Sequence, residues 1–217
     1  MRKTFLISLV LLLAIKGYAQ NDHLEPFRNI NSYDEYMKQY VEHDFALLYS
    51  GMNARPYARY ATVPSFMKEY AFSVEQITDG YCIISNTLSE SLWSAADRNA
   101  VKVIPGKITI DKQLFQLIGE LFMQATGQIK SAPMLLGLDG ATYYFSTTDK
   151  NGNVRIGEKW SPSTNSLMDR LVEICDKLYA LSVGDKLSIP DIKNDIRKLT
   201  TELKAYGKKY NIQQSGK

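Results

Sequence analysis

The stretch ATYYFSTTDKNGNVRIGEKW (141–160) contains the strongest local structural signal of the chain. Its Asn151-Gly152 dipeptide accepts the positive φ angles of a two-residue type I′ turn, so it predicts a β-hairpin. The predicted pairs are Lys150 with Asn153, Thr148 with Arg155, Thr147 with Ile156, Ser146 with Gly157, Phe145 with Glu158, Tyr144 with Lys159 and Tyr143 with Trp160. One face is then mostly aromatic and aliphatic, as in a sheet with one packed side and one wet side.

Two further strands are predicted upstream of this hairpin. The Asp79-Gly80 turn precedes an apolar strand over 81–85, and a second short strand over 101–104 ends at Pro105. The stretch 55–70 contains two prolines, so its first half is predicted to be an extended surface connection. A short helix is expected near 65–72.

Four longer segments show helical periodicity. The first follows a capping box at Ser32 and Glu35, and the second covers 111–125 with Gly127 at its end. In the third, Ser161 is the predicted N-cap, with Pro162 in the first turn. The last, 189–210, carries an apolar stripe with strict three-four spacing.

These elements predict an α+β fold in which a small antiparallel sheet, including the hairpin at 141–160, packs one face against about four helices. The predicted organisation is a signal peptide (1–19), a flexible leader (20–31), a single domain (32–210) and a flexible tail (211–217).

The expected signal peptide consists of basic Arg2 and Lys3, an apolar run over 5–15 and small residues before a cut after Ala19. Its apolar run is too short to cross a bilayer as a helix. The sequence therefore predicts an exported protein, periplasmic or secreted, with no stable membrane insertion after cleavage.

Cleavage also changes the charge balance. It removes Arg2, Lys3 and Lys16 from the 26 basic residues and none of the 23 acidic ones, so the remaining chain is close to neutral. A nucleic-acid partner requires clustered excess Lys and Arg, and none is predicted.

Cys82 and Cys175 are the only cysteines. Both fall on apolar positions, and an oxidising compartment would permit a disulfide between them. Two separate buried thiols fit the sequence as well, because spacing along the chain does not show whether the Cα atoms come within bonding distance.

No pattern in the chain matches a catalytic or metal-binding constellation. The two histidines, His23 and His43, lack the closely spaced partners of a zinc site, and no glycine-rich phosphate loop precedes a helix. The sequence predicts no metal and no cofactor. Carboxylates that glycosidase-type chemistry could use are Asp79, Glu90, Asp97 and Asp139.

The fourteen tyrosines provide the remaining signal. Tyr and Arg are favoured at protein interfaces. The candidate binding residues, on segments expected to be exposed, are Tyr57, Arg59, Tyr60, Tyr144, Arg155 and Lys159.

Three functional hypotheses follow. The leading one is an exported, non-catalytic binding protein that recognises a protein partner. The second is a small exported hydrolase acting on cell-wall or glycan material through carboxylates that the sequence does not identify. The third is an envelope protein that self-associates through the helix at 189–210; that helix could instead pack within the domain.

Overall fold

The structure is a computed structural model that describes residues 22–131 and 139–210. It is organised around one antiparallel sheet. Its strands are β1 (Glu25–Pro26), β2 (Ala58–Pro64), β3 (Tyr70–Ile77), β4 (Gly80–Leu88), β5 (Val103–Ile110), β6 (Ala141–Thr148) and β7 (Val154–Trp160). The helices are α1 (Glu35–Leu48), α2 (Lys112–Thr126), α3 (Leu167–Ser182) and α4 (Ile189–Lys209). The predicted signal peptide and C-terminal tail lie outside the described residues.

The sheet has seven strands in the order β1-β7-β6-β2-β3-β4-β5. The prediction of a small sheet is therefore wrong, although the α+β character is confirmed. The error lies at 55–70, because β2 is the central strand and not a surface connection. Pro56 lies before it and Pro64 at its last position, where the missing N–H costs the sheet least. The residues from Tyr70 to Phe72, predicted to be helical, begin β3.

Helices cover both faces of the sheet, so the predicted single packed face is also wrong. On the three-helix face, α2, α3 and α4 enclose a core that contains Tyr60, Phe72 and Phe145. On the one-helix face, α1 packs with Leu88 and Leu92 over the small residues of the central strands. A strand that is buried on both faces shows no polar alternation, which is why β2 gave no strand signal.

The hairpin exists, but its register differs from the predicted one by one residue. Phe145 pairs with Gly157 and Thr147 with Arg155. Asp149 accounts for the shift: its carboxylate accepts hydrogen bonds from the backbone N–H groups of Asn151 (2.9 Å) and Asn153 (3.0 Å). The Asp149 carbonyl accepts from Gly152 N at 3.0 Å, and Gly152 has a φ of +81°. The connection is thus a longer loop with one left-handed glycine.

Two predicted helix starts are also corrected. The N-cap of α1 is Asp34, whose carboxylate accepts from Met37 N at 2.8 Å, and Ser32 lies in a short 3₁₀ turn before it. The N-cap of α3 is Ser166 instead of Ser161. Several Ser and Asp residues precede each apolar run, so the sequence offered more than one competent cap.

Residues 22–26 are packed onto the domain, contrary to the expected loose leader. Leu24 is fully buried, and β1 pairs with β7. The Asp22 carboxylate accepts from the backbone N–H groups of Leu167 (2.9 Å) and Met168 (3.0 Å), the first residues of α3. A carboxylate there also stabilises the positive end of the helix dipole.

The apolar stripe of the last helix is buried within the same chain. Ile192, Ile196, Leu199 and Leu203 are at most 2 % exposed in the core of the three-helix face. Ion pairs at the edges of the helix hold it in place, from Lys193 to Asp111 on α2 and from Arg170 on α3 to Glu202. The stripe proposed for self-association is therefore occupied intramolecularly.

Gly157 provides a test of the observed register. A Cβ there would lie 2.9 Å from Ile129 Cγ1 and Leu24 Cβ, within the core. We expect Gly157→Ala to lower the free energy of unfolding by about 1 to 3 kcal/mol, because the packed core cannot give way freely. Urea denaturation measures the change. In the originally predicted register Gly157 would face solvent, and the substitution would be harmless.

The control is Val154→Thr on the same strand, where the side chain is 43 % exposed. This exchange keeps the β-branched shape, so the expected change is within about 0.5 kcal/mol. Equal stability losses for the two variants would contradict the observed register.

Candidate functional site

The last residues of β2, β4 and β7 and the first residues of β3, β5 and β6 lie at the same end of the sheet, because neighbouring strands run in opposite directions. We call this region the loop end. In the described residues it includes the β2–β3 loop (65–69) and the β4–β5 connection (89–102). The N-terminal turn of α1 contacts it, since Arg98 Nη2 donates to Tyr36 Oη at 2.6 Å.

Large apolar side chains are exposed at the loop end. Phe66 is 78 % and Met67 69 % exposed, the highest values among the exposed large apolar residues that the structure describes. Tyr36 and Trp93 are about half exposed, at 57 % and 47 %. An exposed Phe-Met pair in a hairpin loop gains nothing for folding stability, so contact with another molecule is the favoured explanation.

Arg98, in the β4–β5 connection, is held between the rings of Tyr36 and Tyr40. Its Cζ lies 5.0 Å from the Tyr36 ring centroid and 5.1 Å from that of Tyr40, within cation–π range. Its Nε donates to the Leu92 carbonyl at 3.2 Å. Trp93 packs edge-on against Tyr40, with centroids 5.3 Å apart. The guanidinium is therefore positioned before any ligand arrives.

Glu69 holds Tyr40 and the backbone of Leu92 in place by hydrogen bonds. It is fully buried, and both of its carboxylate oxygens accept from Leu92 N at 3.1 Å. Tyr40 Oη donates to it at 3.3 Å. A buried carboxylate that accepts several hydrogen bonds fixes its donors strongly, so Glu69 ties the loop at 91–93 to α1 and β3.

Asp44 on α1 is the second buried carboxylate of the one-helix face. It is 2 % exposed, and its Oδ1 has no hydrogen-bond partner among the described residues. Burial, and then the negative charge of Glu69, raise the pKa of Asp44 from 3.8 to about 8. Asp44 is therefore largely protonated at neutral pH. Because both carboxylates are enclosed, neither can contact a substrate in this conformation.

The candidate residues from the β2 region do not form one surface. Tyr57 is 38 % exposed and stacks on Phe115 at 4.0 Å, at the opposite end of the sheet. Arg59 is buried over the Tyr49 ring, with its Cζ 4.6 Å from the centroid, and donates to the Asn53 carbonyl. Tyr60 is fully buried. The expected exposure is wrong for Arg59 and Tyr60, since both lie on the central strand.

The hairpin candidates are also engaged within the protein. Tyr144 packs edge-on against Phe27 and Phe45, with centroids 5.8 and 5.0 Å away. Arg155 forms an ion pair with Asp149 at 3.4 Å, and Lys159 forms one with Glu25 at 3.0 Å. Their role in binding stays a prediction that the structure does not test.

Cys82 and Cys175 are both free and buried. Cys82 shares the strand face of Asn86, which contacts Leu48 of α1, whereas Cys175 lies in the core of the three-helix face. The sheet separates the two thiols, so the disulfide interpretation is wrong. Burial raises the pKa of both, which disfavours a reactive thiolate.

The carboxylates considered for hydrolysis are divided between the two ends of the sheet. Asp79 lies in the β3–β4 turn, opposite the loop end, whereas Glu90, Asp97 and Asp139 precede or follow strands at the loop end. The Asp97 carboxylate accepts from Asn99 N at 3.0 Å within its own turn. Residues 22–131 and 139–210 contain no group of three or more His, Cys, Asp or Glu that could hold a metal ion.

Sequence reasoning missed the loop-end residues. The sequence predicts a short helix near 65–72, which contains Phe66 and Met67, and it does not distinguish a helix from an irregular segment over 89–99, which contains Trp93. The detectable signal was Pro64-Ser65-Phe66-Met67-Lys68, a turn-forming stretch that contains two large apolar residues. In the described part of the chain, no helix has the length and apolar character needed to span a membrane.

Asp44 yields a prediction on pH dependence. An acid whose pKa is higher in the folded than in the unfolded protein makes folding less favourable as pH rises from the unfolded to the folded pKa. Asp44→Asn mimics the protonated acid. The wild type should therefore lose stability as pH rises, and the variant should not. We expect the difference in free energy of unfolding, Asp44→Asn minus wild type, to increase by roughly 1 kcal/mol per pH unit between about pH 4 and 8.

Urea denaturation at several pH values measures this difference. Glu42→Gln is the matched control, since Glu42 is exposed on the same helix. The prediction fails if Asp44→Asn follows the pH dependence of the wild type.

Comparisons with models of protein families, with curated proteins and with solved structures found no match to this chain.

Proposed function

We propose that the chain is an exported binding protein that recognises a protein partner through the loop end. The observation that carries this proposal is the exposure of Phe66 and Met67 in the β2–β3 loop, at the same end of the sheet as the positioned Arg98. Export rests on the sequence pattern over 1–19. The side chains of Glu69 and Asp44 are buried beneath this surface, so they do not contact the partner.

The residue types at the loop end favour a protein over a small molecule. Phe66 and Met67 protrude from a hairpin loop, so they suit insertion into an apolar depression on another protein. Trp93 and Tyr36 add broad, stiff rings with little conformational entropy to lose. Small-molecule sites are concave and enclose most of their ligand, whereas these side chains project outward.

Arg98 specifies the polar part of the partner. Its Nε and Nη2 are used within the protein, and Nη1 has no hydrogen-bond partner among the described residues. The partner surface should therefore place a carboxylate next to an apolar depression. A guanidinium that is already fixed loses little entropy on forming that ion pair.

A photo-crosslinking side chain at Met67, introduced in the cells that make the protein, tests the proposal. We expect one discrete adduct with a different protein, because Met67 would be at the centre of the interface. The same group at Ile77 or Val154 serves as control, since both are exposed at the opposite end of the sheet. Mass spectrometry identifies the adduct.

Affinity measurements with the purified partner complete the test. Phe66→Ser and Arg98→Ala should each weaken binding by about tenfold or more, whereas Ile77→Ser should leave it unchanged. The proposal is overturned by the absence of an adduct at position 67, by an adduct between two copies of this chain, or by equal effects of the variants at 66 and 77.

A further inference from the structure

Asp176 of α3 is a half-buried carboxylate at the sheet surface of the three-helix face. Its Oδ1 accepts hydrogen bonds from Tyr60 Oη at 2.9 Å and Tyr70 Oη at 2.7 Å. No ion pair with Asp176 exists among residues 22–131 and 139–210. The adjacent Lys177 turns away to Asp195, at 2.8 Å.

No basic residue in the described part of the chain lowers the pKa of Asp176, whereas the neighbouring Glu173 also interacts with Arg170. Burial raises the pKa of the Asp176 carboxyl, and Glu173 on the same helix raises it further, while the tyrosine hydrogen bonds lower it. A second carboxylate, Asp169, lies close enough to raise the pKa of Tyr143. The two tyrosine hydrogen bonds stabilise the charged carboxylate only in part, and a cation bound beside it would stabilise it further.

Four tyrosines lie near this carboxylate: Tyr60 and Tyr70, which bind it directly, and Tyr143 and Tyr179, which stack on them. Tyr70 stacks on Tyr179 with centroids 3.9 Å apart, and Tyr143 stacks on Tyr60 at 6.2 Å. Tyr70, Tyr143 and Tyr179 are each partly exposed, so their rings reach solvent next to Asp176. Tyrosine rings beside a carboxylate are the environment in which proteins hold organic ammonium groups.

The donors and acceptors at this position restrict the kind of ligand that can bind. The hydroxyl protons of Tyr60 and Tyr70 are both donated to Asp176, so the oxygen atoms of these hydroxyls can only accept. Asp176 Oδ2 is an acceptor with no partner among the described residues. A ligand at this point must therefore supply donors, and a primary ammonium supplies three together with a compensating charge.

We propose that Asp176, with Tyr70, Tyr143 and Tyr179, forms a binding site for a primary alkylammonium group, such as that of a lysine side chain or an aliphatic amine. The site lies on the three-helix face and is independent of the partner surface at the loop end. Its failure would leave the proposed function intact.

Titration of the ¹⁵N-labelled protein with n-butylammonium, followed by NMR, tests the site. We expect saturable shifts of the amides around Asp176 and Tyr70 at millimolar concentrations, because a single exposed ammonium site binds weakly. Butyrate should produce none of these shifts. Tetramethylammonium, which has no N–H donor, should bind more weakly than n-butylammonium.

Asp176→Asn is the decisive variant, since its amide oxygen can still accept from both tyrosines while the charge is lost. It should weaken n-butylammonium binding by about tenfold or more. Glu173→Gln removes the same charge from an exposed position one turn away and should change binding by less than about threefold. Tyr143→Leu, which leaves the hydrogen bonds to Asp176 in place, should also weaken binding.

Equal binding to wild type and Asp176→Asn overturns the proposal, as does the absence of saturable shifts in the wild type. Should Asp176→Asn fail to fold, unchanged binding by Tyr143→Leu overturns it instead.

Discussion

The burial of β2 on both faces is the constraint on which the rest of the structure depends. This strand joins the β6–β7 hairpin on one side to the β3–β4–β5 meander on the other. Its side chains alternate between the two cores, with Tyr60 on the three-helix face and Ala61 on the one-helix face. Small residues on one face and an aromatic on the other allow α1 to approach closely while three helices pack opposite. Both candidate sites are located by this strand, since Tyr60 orients Asp176 and the loop after β2 presents Phe66.

Local signals predicted a large part of the fold. The sequence correctly predicts the helices α2 and α4 and the existence of the hairpin around Gly152, because their determinants lie within a few residues of one another. The register of the hairpin is predicted wrongly, because the Asp149 carboxylate binds the backbone N–H groups of Asn151 and Asn153 and so lengthens the loop. The sequence does not predict β2, because burial on two faces removes the polar alternation that identifies a half-buried strand.

The candidate sites were harder to predict than the fold, because each combines residues that are distant in sequence. Arg98 is positioned by Tyr36 and Tyr40 across about sixty residues, and Asp176 by tyrosines more than a hundred residues earlier. Sequence analysis predicts tyrosine and arginine as the binding residue types, and Arg98 and Tyr36 of the proposed surface are of these types. It selected Tyr60 and Arg59 where the structure exposes Phe66 and Trp93, because exposure was inferred from neighbouring prolines instead of from the sheet.

The short strand β1 lies at one edge of the sheet, where it occupies positions that a strand of another molecule could otherwise pair with. A seven-stranded sheet has two edges whose free N–H and C=O groups can recruit strands from other molecules. Glu25–Pro26 covers part of the β7 edge, and the opposite edge, β5, carries Pro105 and the exposed Lys107. Proline lacks the donor that a neighbouring strand would need, and repeated lysine charges would repel one another in a stack. Each edge therefore carries a feature that disfavours pairing with a strand of another molecule.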